Sequence, residues 1–147
     1  MRLKAVFMLL AGLFAATQAI AADKTMIVLD ASGSMWGQID GRAKIDIARE
    51  TLSSVLKSVP AGTELGLMVY GHREKGSCSD IELAVPPGAG TENAINAFVS
   101  GLNPKGKTPI SHAVEQAADI LKYTEDKATV VLVTDGLETC EADPCAL

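Results

Sequence analysis

At 147 residues, 48% of them apolar and 21% charged, the chain has the length and composition of one domain folded around a core, which excludes a disordered polymer. Its formal net charge is −5, with 18 Asp/Glu against 13 Lys/Arg. That balance argues against nucleic acid as a partner and is compatible with binding cations.

In chain order, the first segment is a leader. Arg2 and Lys4 precede an apolar run over 5–16, and Ala19-Ile20-Ala21 forms a small-x-small cleavage signal. Residues 1–21 are therefore expected to be a secretory signal peptide cut before Ala22. The run is shorter than the about 20 residues that a membrane span needs. Losing Arg2 and Lys4 leaves 11 Lys/Arg against 18 Asp/Glu and takes the net charge from −5 to −7. The leader and the lack of Asn-x-Ser/Thr sites point to a secreted bacterial protein, periplasmic or on the cell surface.

Residues 25–30 are a continuous apolar run closing on Asp30, the pattern of a strand buried on both faces. A glycine-rich loop is expected over 31–41. Ile45, Ala48, Leu52 and Val55 predict a helix over 43–58 with one apolar face, stopped by Pro60-Ala61-Gly62. A second strand is expected over 64–71, then a polar turn over 72–76. Over 79–86, Ile81, Leu83 and Val85 alternate with polar positions, as in an antiparallel edge strand. Helices are expected over 91–102, with Ile95, Phe98 and Leu102 on one side, and over 109–123, with Ile110, Ala113, Ala117 and Ile120 inward. Thr108 and Pro109 suit the N-cap and first residue of the second helix. A third apolar run over 128–135 ends on Asp135. Strands alternating with helices give an α/β sandwich around a mostly parallel sheet.

Val130, Val131, Leu132 and Val133 are apolar toward both faces, which suits a strand flanked on both sides. Nothing after them supplies a flanking strand, and Asp143-Pro144 reads as the opening of another helix. At least one further α/β unit beyond residue 147 is expected, or a partner chain over that edge. The three cysteines leave one over. Cys140 and Cys145 are close enough to close a small loop and are the favoured pair, although Cys78 can take either.

Ligands of open α/β sheets sit at the carboxyl ends of the strands. Asp30, Ser32 and Ser34 follow the first strand, Thr108 opens a helix from a loop returning to that edge, and Asp135 ends the last run. Carboxylates and hydroxyls are the donors that hard divalent ions prefer. Neutral hydroxyls leave such an ion electron-poor, so that an outside carboxylate completes its shell. Asp30-Ala31-Ser32-Gly33-Ser34, then Thr108, then Asp135-Gly136 resemble the metal-ion-dependent adhesion site of von Willebrand factor A and integrin inserted domains. The resemblance runs from about Thr25 to the C-terminus. It implies a Rossmann-like three-layer fold with one antiparallel edge strand and more strands than are found here. It also implies Mg2+, Mn2+ or Ca2+ held directly by Ser32 and Ser34, by Thr108 in at least one conformational state, and mainly through waters by Asp30 and Asp135. The implied partner is a protein presenting a Glu or Asp. Trp36 is expected on the rim, contacting a partner or folding onto a neighbouring loop. His72 and His112 are expected to be ordinary surface residues.

Two other readings compete. Gly101, Gly106, Lys107 and Thr108 satisfy the Gly-x-x-x-x-Gly-Lys-Thr phosphate loop, but that loop needs a strand before it, and residues 93–102 have helical periodicity. A purely structural module without metal would keep the pattern and not the ion. A phosphatase with Asp30 as nucleophile would want a carboxylate at position 32, where Ser32 stands. No catalysis is expected.

Overall fold

The structure is a computed structural model and describes residues 23–125 and 127–146, so the expected signal peptide lies outside the described residues. β1 (Lys24–Asp30) is followed by a 3-10 turn, Gly33–Trp36. A short hairpin comes next, β2 (Gln38–Ile39) and β3 (Arg42–Ala43), then α1 (Lys44–Leu56) and β4 (Glu64–Tyr70). β5 (Ile81–Gly88), α2 (Glu92–Ser100), α3 (Ile110–Leu121) and β6 (Ala128–Val133) complete the main elements. The four-stranded sheet runs β5-β4-β1-β6, with β1 parallel to both β4 and β6 and β5 antiparallel at one edge. Ile27, Leu29, Leu67 and Val69 pack toward α1 and α2, while Met26, Val28, Met68 and Tyr70 pack toward α3. A strand covered on both faces must be apolar on both. The expected α/β sandwich with one antiparallel edge is the fold observed.

Several local expectations change. The loop expected over 31–41 contains the β2–β3 hairpin, turned by Asp40 and Gly41 at φ 51° and 79°; an Asp-Gly pair is the sequence signal for such a turn. The buried row of α1 is Ile45, Ala48, Leu52 and Leu56, with Val55 outside. Likewise Leu121 is buried at the end of α3, and Ile120 is exposed. In β5 the register slips between Leu67↔Val85 and Met68↔Leu83, so Ala84 is an extra residue. This bulge turns Val85 toward the α1–α2 side while Ile81 packs on the α3 side. The single apolar face expected for Ile81, Leu83 and Val85 is therefore split in two.

Thr108 is not the N-cap of α3; the helix begins at Ile110, and Pro109 holds the cap position without a side-chain bond. The first turn is satisfied from a distance instead. The Glu138 carboxylate accepts the Ser111 amide at 3.0 Å and the Cys140 amide at 2.7 Å, placing an anion where the helix dipole favours it. β6 lies at the open edge of the described sheet, and Val131 and Leu132 are exposed there.

Candidate metal centre

The Asp30 carboxylate is fully buried at the end of β1. Its Oδ1 accepts the Ser32 amide at 2.7 Å and its Oδ2 the Thr134 hydroxyl at 2.8 Å. Both oxygens are thus oriented before any ligand arrives. Ser32 is buried, Met35 anchors the 3-10 turn in the core, and that turn carries Ser34 to the surface. Ser34 Oγ donates to Asp135 Oδ1 at 2.8 Å, and Ser32 Oγ lies 2.9 Å from Ser34 Oγ.

Thr108 arrives on a loop stitched to the first two parallel strands. The Lys105 amide bonds the carbonyls of Ala31 and Gly71, the Gly106 amide bonds Gly71, and the Gly33 amide bonds Gly106. The chains approach so closely that only glycine fits. A Cβ on Gly71, which is at φ +72°, would lie 2.5 Å from the Lys107 carbonyl, and one on Gly106 would lie 2.6 Å from that of Glu74. Thr108 and Thr139 then pair: the Thr108 amide donates to Thr139 Oγ1 at 2.8 Å, and the Thr139 amide to the Thr108 carbonyl at 3.2 Å. Ser32, Ser34, Thr108 and Asp135 line one open cleft of about 630 Å3, and Asp30 lies beneath it.

Asp135 is tied on both sides. Its Oδ2 is 2.5 Å from Lys44 Nζ, and its Oδ1 takes the Ser34 proton. Burial pushes the Asp135 pKa up, but the Lys44 and Ser34 hydrogen bonds and the lysine charge outweigh this and hold it below the usual carboxylate value. Tyr70, opposite Asp30 in the β1–β4 register, is fully buried, and its hydroxyl makes no hydrogen bond of normal geometry among the described residues. Burial first, and then the Asp30 charge, push its phenol pKa far above the usual value. Lys44, Tyr70 and Thr134 were not singled out by the sequence. The one available signal was Lys44 itself, a cation opening a helix.

The cysteine pairing differs from the favoured one. The bridge is Cys78–Cys140, with Cα atoms 5.7 Å apart, and Cys145 is free and exposed. Glu138 and Thr139 pin the 134–140 loop to the start of α3, beside which Cys78 also lies, whereas Cys145 is carried off in the turn Pro144–Ala146. Of the two roles open to Trp36, the structure shows the loop contact: its Nε1 donates to the Pro104 carbonyl at 2.9 Å, with 49% of its surface exposed. His72 is no surface residue. Its side chain is 10% exposed, with Nε2 2.8 Å from Glu82 Oε2 and its ring edge-on to Phe98. His112 is exposed on α3.

Residues 25–138 match the family model of the von Willebrand factor type A domain. The chain belongs to this family. Among curated proteins it is similar to YwmD of Bacillus subtilis, 37% identical over 138 residues and 85% of this chain, and to YwmC of the same organism, 32% identical over 137 residues and 87% of this chain. It spans 60% of the length of each. Its fold is similar to that of the pilus adhesin SpaC from Lactobacillus rhamnosus GG, with a TM-score of 0.67 at 22% identity over 83% of this chain and 16% of that one. This von Willebrand A domain does not carry the strand–loop–helix context of a phosphate loop, because α2 and not a strand precedes Gly101–Thr108. Gly106 is instead bridged to Ser32 as part of the cleft.

Among the described residues no three His, Cys, Asp or Glu side chains gather as metal ligands, so any ion in the cleft of this von Willebrand A domain would depend on hydroxyls. The donor set fits that role. Hydroxyl oxygens that lie side by side at the mouth of a cleft are donors that a hard divalent ion accepts. Ser32 Oγ and Ser34 Oγ are 2.9 Å apart. With the Ser34 proton committed to Asp135, a lone pair of Ser34 remains for a cation.

Proposed function

We propose that this chain is a divalent-cation-dependent protein-binding module that captures a Glu or Asp side chain of a partner. The observation that carries the reading is the Ser32–Ser34–Asp135 relay, in which two neighbouring hydroxyl oxygens are backed by a carboxylate that takes one of their protons. Ser32, Ser34 and Thr108 would be the direct ligands, with Asp30 and Asp135 acting through waters. The cation, when bound, supplies a Lewis-acidic position open to an incoming carboxylate oxygen. Exposed Leu137 lines the cleft, and half-exposed Trp36 follows two residues after Ser34; both offer apolar contact to whatever presents the acid.

The reading is non-catalytic: the Ser34 hydroxyl meets a carboxylate, Asp135, whose basicity the Lys44 ammonium lowers, and the Asp30 carboxylate is committed to the Ser32 amide and the Thr134 hydroxyl. Export to the periplasm or cell surface belongs to the same proposal. It is supported by the Cys78–Cys140 bridge, since disulfides persist in oxidising compartments. It is also supported by the likeness to a pilus adhesin. No helix among the described residues is long and apolar enough to cross a membrane.

The test is calorimetric titration of Mg2+, Mn2+ and Ca2+ into the protein and its Ser32→Ala/Ser34→Ala variant. Saturable binding of at least one of the three ions, lost in the variant, is the expected result. Identical traces for the two proteins would leave a structural module that keeps the pattern without the ion.

A further inference from the structure

A cation already faces the cleft. Lys44 is the first residue of α1, where the helix dipole disfavours a positive side chain. Its ammonium turns back to Asp135, with Nζ and Oδ2 at 2.5 Å and side-chain exposures of 28% and 8%. The stem lies over Gly37, where an added Cβ would come within 3.3 Å of Lys44 Cε. The Lys44 amide also donates to the Gly37 carbonyl at 2.9 Å. Backbone, stem and head group are all fixed, and the lysine is committed to one carboxylate oxygen.

That commitment divides Asp135. Oδ1 faces Ser34 and Oδ2 faces Lys44, so neither oxygen is free to bind a cation without giving up a partner. Lys44 also sets the charge of the site. Asp30 and Asp135 with Lys44 leave a divalent cation in a net positive surrounding, to which Lys107 on the cleft wall adds; without Lys44 that charge falls by one. A more positive site attracts an anionic ligand more strongly.

We propose that Lys44 is a positioning residue that keeps Asp135 out of the direct ligand shell, making the cation bind more weakly and an incoming carboxylate more tightly. The proposal rests on the cation-binding reading above and names how that site is regulated from within. Its logic is a balance: a cation satisfied by the protein alone has no use for the acid of a partner.

The experiment compares the full chain with Lys44→Met, which keeps the stem and removes the charge, and Lys44→Arg, which keeps the charge. Without metal, Lys44→Met is expected to melt below the parent, because the largely buried Asp135 loses its counter-ion. Mn2+ should raise its melting temperature by more than it raises that of the parent, and bind it on the order of tenfold more tightly. Water-proton relaxation by bound Mn2+ should fall in Lys44→Met, because Asp135 Oδ2 replaces a coordinated water, and acetate should bind the Mn2+-loaded variant more weakly. Lys44→Arg should follow the parent in all of these. If Lys44→Met does not fold without metal, Lys44→Gln, whose amide can still bond Asp135, is expected to shift Mn2+ affinity in the same direction. Equal Mn2+ affinity and equal relaxation across the series would overturn the proposal and leave Lys44 a structural ion pair. Absence of saturable Mn2+ binding in the parent would overturn the cation-binding reading and this proposal together.

Discussion

Asp80 carries no exposed side-chain surface, yet it accepts the amides of Arg73 and Glu74 at 2.7 and 2.9 Å and Arg73 Nε at 2.7 Å. Burial raises its pKa, but the Glu74 amide and the Arg73 guanidinium outweigh that and hold it below the ordinary value. A carboxyl depressed in the folded state stabilises the fold above its unfolded pKa of about 3.9, and that contribution is lost as pH falls through the folded pKa. Metal-free protein should therefore lose melting temperature progressively below about pH 5. Asp80→Asn should cost about 2 kcal/mol at neutral pH, read from urea unfolding, and flatten part of the acid slope. An unchanged slope would mean that other carboxyls control acid stability. Gly71→Ala forces a Cβ into the Lys107 carbonyl at positive φ and should cost about 2–3 kcal/mol by the same measurement. At this scale the sequence showed Asp30, Ser32, Ser34, Thr108 and Asp135, because oxygen-bearing side chains at strand ends stand out against apolar runs. Lys44, Tyr70 and Thr134 stayed hidden. Each matters only through a neighbour that strand pairing or helix packing brings to it.

Elements meet at the loop after β6. Residues 134–140 supply Asp135 to the cleft, Glu138 to the first turn of α3, and Thr139 to Thr108. Cys140 then locks the far end of that loop to Cys78, 62 residues away. On the chain-entropy account, closing a loop of that size contributes about 4 kcal/mol, with typical measured values of 2–4 kcal/mol. Reduction, or Cys78→Ser, should lower unfolding stability by about that range. It should also weaken Mn2+ binding, because Asp135 and Thr139 lose their tether; Cys145→Ser should change neither. Peptide mapping that recovers a Cys140–Cys145 bridge would contradict this arrangement. Helix and strand types were legible from periodicity. The β5 bulge and the remote cap of α3 were not, since a slipped register and a carboxylate arriving from 27 residues away leave no local pattern.

Across the molecule, β1 is the hinge of the design, pairing in parallel with β4 on one side and β6 on the other. The alternation of apolar runs with amphipathic segments was enough to foresee a mostly parallel sheet with an antiparallel edge, but not the strand order that sets β1 between β4 and β6. The same pairing decides which residues share the cleft. Ser34 and Asp135 are 101 residues apart and touch only because the ends of β1 and β6 coincide.

The time order of folding follows from that distance. Ser34 can find Asp135 only after the strands before them lie side by side, so any cation held between them arrives too late to guide the chain. Once there, it must let go before β6 can peel from β1. The ion's mark should therefore fall on the unfolding rate, leaving the folding rate nearly untouched.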